Sequence, residues 1–271
     1  QFKSEKNISE KLERALKKKF KKIERIHGSR DYFSFKEKKL NIEVIPVLKI
    51  KDPKEAKNIT DISPLHAIFV NKRADEKMKA EIRLAKTFFK AQKIYGAETY
   101  IKGFSGYVVE LLIIYYGSFF NLIRAMTNWK EGEYIKFSAE QTLEKSKEST
   151  LNVLDPVQPE RNAASAISKE KIQQAKEAAR QFLENPSKKC FKEKKISLKD
   201  IKKHNLILEV IPLKGNKDVV GTKILKVYER IRDELNHKGF EIKEEGWIWE
   251  KKAYLFYQCK KTLPKRLVQS G

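Results

Sequence analysis

The chain has 271 residues, 59 of them Lys or Arg and 36 Asp or Glu, for a net charge of +23. That length can bury a sizeable core and divide into two or three units, and an aromatic content of 10% argues for a folded protein. Folding does not need so large a cationic excess, so the charge points to an extended polyanion, RNA or DNA, and ranks it above a membrane, since no apolar run approaches the roughly 18 to 20 residues of a spanning helix. Cys190 and Cys259 fit neither a CxxC metal spacing nor a disulfide framework, which reads as a reducing, cytoplasmic setting.

In chain order, residues 8–26 carry Ile8, Leu12, Leu16, Phe20 and Ile23 at helical spacing with lysines opposite. This predicts an amphipathic helix ending near Gly28. Strand-like runs follow at residues 31–35 and 40–50. In the second, Ile42, Val44, Leu48 and Ile50 share one face, Asn41, Glu43, Ile45 and Val47 the other, and Pro46 marks an edge or an end. A lone strand carboxylate such as Glu43 ordinarily faces solvent. The segment DISPLHAIFV, residues 61–70, reads as a loop with a turn at Ser63 and Pro64, and His66 just past it as a packing residue. Residues 75–93 have Met78, Ile82, Ala85, Phe88 and Phe89 at helical spacing, with Lys86 and Lys90 one turn apart on what is normally a solvated face.

The stretch YGAETYIKGFSGYVVELLIIYYGSFF, residues 95–120, is the one around which the chain is organised. GFSG at 103–106 has the shape of a glycine-rich turn feeding the N-terminus of a buried helix over 107–116. Such a turn leaves backbone N–H groups unpaired and suits an anion; a core helix whose entry needs small residues shows the same pattern. Helical character continues through 119–126, and residues 131–150 read as a loop or peripheral hairpin. In VLDPVQPERNAASAIS, residues 153–168, two prolines fix a turn that offers Arg161 and Asn162, and Ser168 caps a helix over 169–184. Residues 196–261 read strand, helix, strand, strand, a small α/β module of the kind that binds RNA by shape and charge, with Trp247 and Trp249 expected on an exposed hairpin.

The succession IEVIPV, DISPLH, EIRLAKTFFKAQKIYGAETYIKGFSGYVVELLIIYYGSFFNLI and LDPVQPERNAASAIS, in that order and spacing, resembles the archaeal (class I) CCA-adding enzymes. These are tRNA nucleotidyltransferases that build the CCA end without a template. Similarity runs from about residue 8 to the C-terminus and is dense between residues 43 and 168. The resemblance implies an α+β fold: a remnant of a nucleotidyltransferase (polymerase-beta-like) sheet in residues 1–58, a helical central domain in 59–150, a base-recognition loop and helix in 151–195, and a C-terminal α/β RNA-binding unit in 196–271. It further implies nucleotidyl transfer from CTP and ATP to the tRNA acceptor end, with Mg2+ held by three carboxylates, the last of them at the position of Glu43. His66, Lys86 and Tyr95 match the family's triphosphate-binding residues. Arg161 matches the arginine that reads the Watson–Crick edge of the incoming base.

Departures from the pattern accompany the match. The family's opening glycine-serine loop and paired-carboxylate motif, GD-x-DID, are not found, Glu43 stands where the family has Asp, and the closing part of the tail is not matched. The chain is therefore expected to be the larger part of such an enzyme, active only with a separate N-terminal catalytic segment, and to form a homodimer as family members often do. A non-catalytic RNA-binding protein, a subunit of a split enzyme and a poly(A) polymerase-like relative are the competing expectations.

Overall fold

Helix α1, Ile8–Lys17, ends sooner than its apolar period predicts. The lysine-rich turn that follows delivers the chain into strand β1, Glu24–Ile26, which pairs antiparallel with β2, Tyr32–Glu37. Phe20, expected on the helix, lies instead in the turn with its ring 4.1 Å from that of buried Phe35. The computed structural model describes residues 2, 3, 7–27, 30–193, 196–213 and 215–261, so Gly28, where the first helix is expected to end, and the tail beyond residue 261 lie outside the described residues. Strand β3, Leu40–Val44, completes a three-stranded antiparallel sheet in the order β1-β2-β3 and stops two residues short of Pro46, which has no N–H to give a ladder. Phe2 bridges Leu48 in parallel just beyond it.

The segment expected to be a loop at residues 61–70 is the start of helix α2, Ser63–Arg73, with Pro64 in its first turn, where a missing N–H costs nothing. Asp61 fixes the entry. It is fully buried and accepts the N–H groups of Leu48, Lys57 and Asn58 together with the guanidinium of Arg30. Helix α3, Glu76–Ala91, is capped by Asp75, whose side chain accepts from Met78 N–H. Helices α4, Gly106–Tyr116, and α5, Phe119–Asn128, are bent by 96° at Gly117, whose φ of +80° is a left-handed conformation natural to glycine. Among the described residues no single helix is long and apolar enough to cross a membrane. Val108, Val109, Leu111, Leu112 and Ile113 of α4 are instead buried within the protein core.

Strands β4, Glu133–Ile135, and β5, Leu151–Val153, pair in parallel, so of the loop or hairpin expected at 131–150 the structure has the loop, with a short strand at its start. Helix α6, Lys169–Glu184, is capped by Ser168 as predicted. It closes the core on the side where Phe88 meets Phe119, Phe182 and Phe191 at centroid distances of 5.4, 5.6 and 5.6 Å. Together these elements make the first of two compact units, Gln1–Glu193; the second is Lys194–Gly271.

The second unit contains a short helix α7, Leu198–Ile201, then β6, Leu206–Val210, α8, Lys217–His237, β7, Phe240–Trp249, and β8, Ala253–Lys261. Its sheet is antiparallel in the order β6-β8-β7. The strand, helix, strand, strand order matches the sequence reading. Trp247 and Trp249 differ from it: they are half-buried and pack against the core that α8 makes with β8.

Candidate functional site

The site is built on the first turn of α4. Ser105 caps that helix by accepting Val108 N–H at 3.1 Å, so the positive end of the helix faces whatever lies in front of Gly106. The loop leading in from α3 folds back on itself: Phe104 N–H donates to Ile94 carbonyl at 2.7 Å and Gly96 N–H to Phe104 carbonyl at 2.8 Å, with Tyr95 and Phe104 bridged in parallel. Gly103 is pressed against the Ile94 carbonyl, leaving no room for a side chain. This fold-back carries Tyr95 to the helix entry. A Cβ at Gly106 would stand 2.8 Å from the Tyr95 hydroxyl and 3.7 Å from Lys86 Nζ, so both polar groups converge on one small residue. Lys90, one turn beyond Lys86, places its ammonium 5.0 Å from the centre of the Tyr95 ring.

The next residue of α4, Tyr107, turns to the other side, where a second cluster gathers on Asp155. This carboxylate is fully buried. Its Oδ1 accepts from the Tyr107 hydroxyl and Val157 N–H, both at 2.9 Å; its Oδ2 accepts from His66 Nε2 at 3.1 Å and Arg161 Nη1 at 2.8 Å. The rings of His66 and Tyr107 are stacked 4.0 Å apart. Burial works to raise the Asp155 pKa, but the bonds from His66, the Val157 N–H and the Tyr107 hydroxyl outweigh it and hold the carboxyl below its ordinary value. Burial first, then the charge of Asp155, pushes the Tyr107 hydroxyl well above its ordinary value, so it stays a donor. An ionised Asp155 can only accept, which places a proton on His66 Nε2; among the described residues no hydrogen bond engages Nδ1.

Asn162 secures the turn that carries Arg161. Buried, it accepts the N–H groups of Val153 and Ala164 and donates to Ser149 Oγ, the Leu151 carbonyl and Asn152 Oδ1. Gln141 adds a bond from its side-chain amide to the Asp155 carbonyl. With its neighbours so fixed, the Arg161 guanidinium donates one N–H to Asp155, and its side chain is 34% exposed.

Of the five residues singled out in the sequence, His66 and Arg161 thus meet on Asp155, Lys86 and Tyr95 meet at Gly106, and the two pairs flank consecutive residues of α4. Glu43 stands apart. It is exposed on β3 opposite Ser34, and no hydrogen bond or ion pair among the described residues joins it to the other four. Nor, among the described residues, does any group of three His, Cys, Asp or Glu come together that could hold a metal ion. A two-metal site sets its ions about 3.5 to 4 Å apart between several carboxylates. One exposed carboxylate does not meet that need, so the described residues do not fit the implied Mg2+ pair and no step below passes through it. Asp155, Tyr107 and Glu110, which bonds Lys86, are the residues that sequence reading missed. Glu110 had one legible signal, as the lone charge in the apolar run GYVVELLIIYY.

Residues 80–192, which span α3 to α6 and the Arg161 turn, match the family described as tRNA nucleotidyltransferase, second domain. The CCA-adding enzyme of Sulfurisphaera tokodaii is 36% identical over 204 residues, covering 75% of this chain and 49% of the relative. This chain is a relative of the archaeal CCA-adding enzymes. The CCA-adding enzymes of Sulfolobus acidocaldarius and Pyrobaculum neutrophilum are 34% and 32% identical over 79% and 84% of the chain, and it covers 51% and 54% of their lengths. The chain therefore spans about half the length of the CCA-adding enzymes it matches. Its fold is shared with a solved structure described as a cytoplasmic RNA terminal U-transferase, at a TM-score of 0.52 and 12% identity over 71% of this chain and 78% of that one.

Proposed function

We propose that this chain is the nucleotide-gripping and RNA-binding part of a CCA-adding tRNA nucleotidyltransferase, which builds or repairs the 3′-terminal CCA of tRNA from CTP and ATP. The observation that carries the reading is the convergence of Lys86, Tyr95, His66 and Arg161 around the first turn of α4, in a relative of CCA-adding enzymes. Lys86 and the Tyr95 hydroxyl bind the triphosphate beside His66, assisted by the positive end of α4. Arg161, held in plane by Asp155, offers its remaining N–H groups to acceptors that C and A have in common. Binding thereby orients the α-phosphate toward the tRNA 3′-hydroxyl. A separate N-terminal segment carrying paired carboxylates completes the catalytic site.

The test is incorporation of labelled CMP and AMP into tRNA lacking CCA, by the chain alone and with an added N-terminal segment from the Sulfurisphaera tokodaii relative. Template-free addition of CC and then A, lost with Arg161→Ala, is expected only with the added segment. Addition of all four nucleotides at equal rates would overturn the reading. The rival, RNA binding without catalysis, draws support from the +23 charge and predicts salt-sensitive RNA affinity indifferent to CTP and to Lys86 replacement. A homodimer is proposed as well, to be read by sedimentation.

A further inference from the structure

Each cation that would meet the nucleotide is already held by a carboxylate of the chain itself, and the two carboxylates differ in kind. Asp155 on Arg161 is fully buried and accepts four bonds. It is a fixed post. Glu110 on Lys86 has its Oε1 2.6 Å from Nζ, and the two side chains are 24% and 26% exposed. Val109, Leu111 and Leu112 beside it on α4 are buried, whereas the Glu110 side chain reaches water. It sits one turn from Gly106, where the Tyr95 hydroxyl and Lys86 Nζ meet.

We infer that Glu110 is an internal stand-in for a phosphate group: it occupies Lys86 while the site is empty, and an incoming triphosphate or pyrophosphate takes the lysine by displacing it. The physical reason is charge. Lys86 rises from a face of α3 whose neighbours Ala85 and Phe89 are buried, so its ammonium benefits from a resident anion. Once a phosphate arrives, the carboxylate becomes a like charge at close range and opposes the anion. Glu110 therefore lowers affinity for polyphosphate and favours pyrophosphate release. A carboxylate that merely positioned Lys86 would have the opposite effect.

This inference rests on the reading of Lys86 as a phosphate ligand, and the experiment separates the two. Inorganic pyrophosphate is titrated calorimetrically into the wild-type chain, Glu110→Gln, Glu110→Met, Lys86→Met and the double variant Glu110→Gln with Lys86→Met. Met serves as a second replacement because it suits an apolar helix should Gln impair folding. Either Glu110 variant is expected to bind pyrophosphate about fivefold more tightly, the scale of one partly exposed ion pair removed as a competitor. Lys86→Met is expected to weaken binding, and in the double variant the Glu110 gain disappears, because the two residues are coupled. Glu110 variants that bind no tighter than wild type, with Lys86→Met still weakened, overturn the inference and leave the site reading intact. Pyrophosphate affinity unchanged by Lys86→Met removes the site reading and the inference with it.

Discussion

Replacement of Asp155 by Asn tests the architecture of the site most directly. The carboxylate takes two donors on each oxygen: Tyr107 and Val157 at 2.9 Å on Oδ1, and His66 at 3.1 Å and Arg161 at 2.8 Å on Oδ2. Asparagine keeps one oxygen and substitutes an NH2 for the other, so a donor is aimed at donors in a pocket without solvent access. Breaking a buried charge pair from one side costs about 3 to 5 kcal/mol. Arg161 is a third exposed and recovers part of its loss from water, which brings the expectation to about 3 kcal/mol, or a fall of roughly 1.5 M in urea midpoint at a slope near 2 kcal/mol/M. Urea unfolding followed by tyrosine and tryptophan fluorescence measures it.

The acid limb gives a second reading of the same residue. The Asp155 pKa is lowered on folding, so its contribution to stability is complete above its ordinary value of 3.8 and is lost as pH falls through the lower folded value. The gap between wild type and Asp155→Asn should hold steady above pH 3.8 and narrow as pH falls below it. A variant that unfolds at the wild-type midpoint, with an unchanged acid limb, would refute the account of Asp155 as the post on which His66, Tyr107 and Arg161 are set.

Gly106→Ala should improve helix propensity at α4 by up to about 1 kcal/mol, yet its methyl group would stand 2.8 Å from the Tyr95 hydroxyl, so melting temperature should hold while CTP affinity falls at least severalfold; equal CTP affinity would separate Tyr95 from the site. Phe88→Ala empties the centre of the Phe119, Phe182 and Phe191 cluster and should cost about 3 to 5 kcal/mol in denaturant unfolding; a loss under 1 kcal/mol would contradict the packing. In the second unit, Tyr257→Phe removes the buried hydroxyl that donates to the Tyr228 carbonyl at 2.8 Å and should cost about 1 kcal/mol in stability, with RNA affinity unchanged in a filter-binding titration.

Local signals carried much of the fold. Ser168 announced its helix because an N-cap is a bond between near neighbours, and the apolar period of 75–93 sets which face is buried. Ser63 and Pro64 were read as a turn because proline at the first helical turn and proline in a turn look alike over a few residues. What makes the segment a helix is that Phe69 and Val70 find the core. The helix expected over 8–26 broke for a related reason: β2 offered residues 24–26 a strand partner that no periodicity count could include.

The sequence by itself carries the helical middle in its period, points through its charge to a polyanionic partner, and singles out His66, Lys86, Tyr95 and Arg161 as candidates through resemblance to a family. Only the tertiary structure decided what holds them, since Asp155 is 89 residues from His66 and 48 from Tyr107, and Glu110 is 24 from Lys86. A cap or a helical stripe is written within one or two turns of chain. A buried carboxylate is recognised only by the donors that folding brings to it, and those lie at distances no local pattern spans.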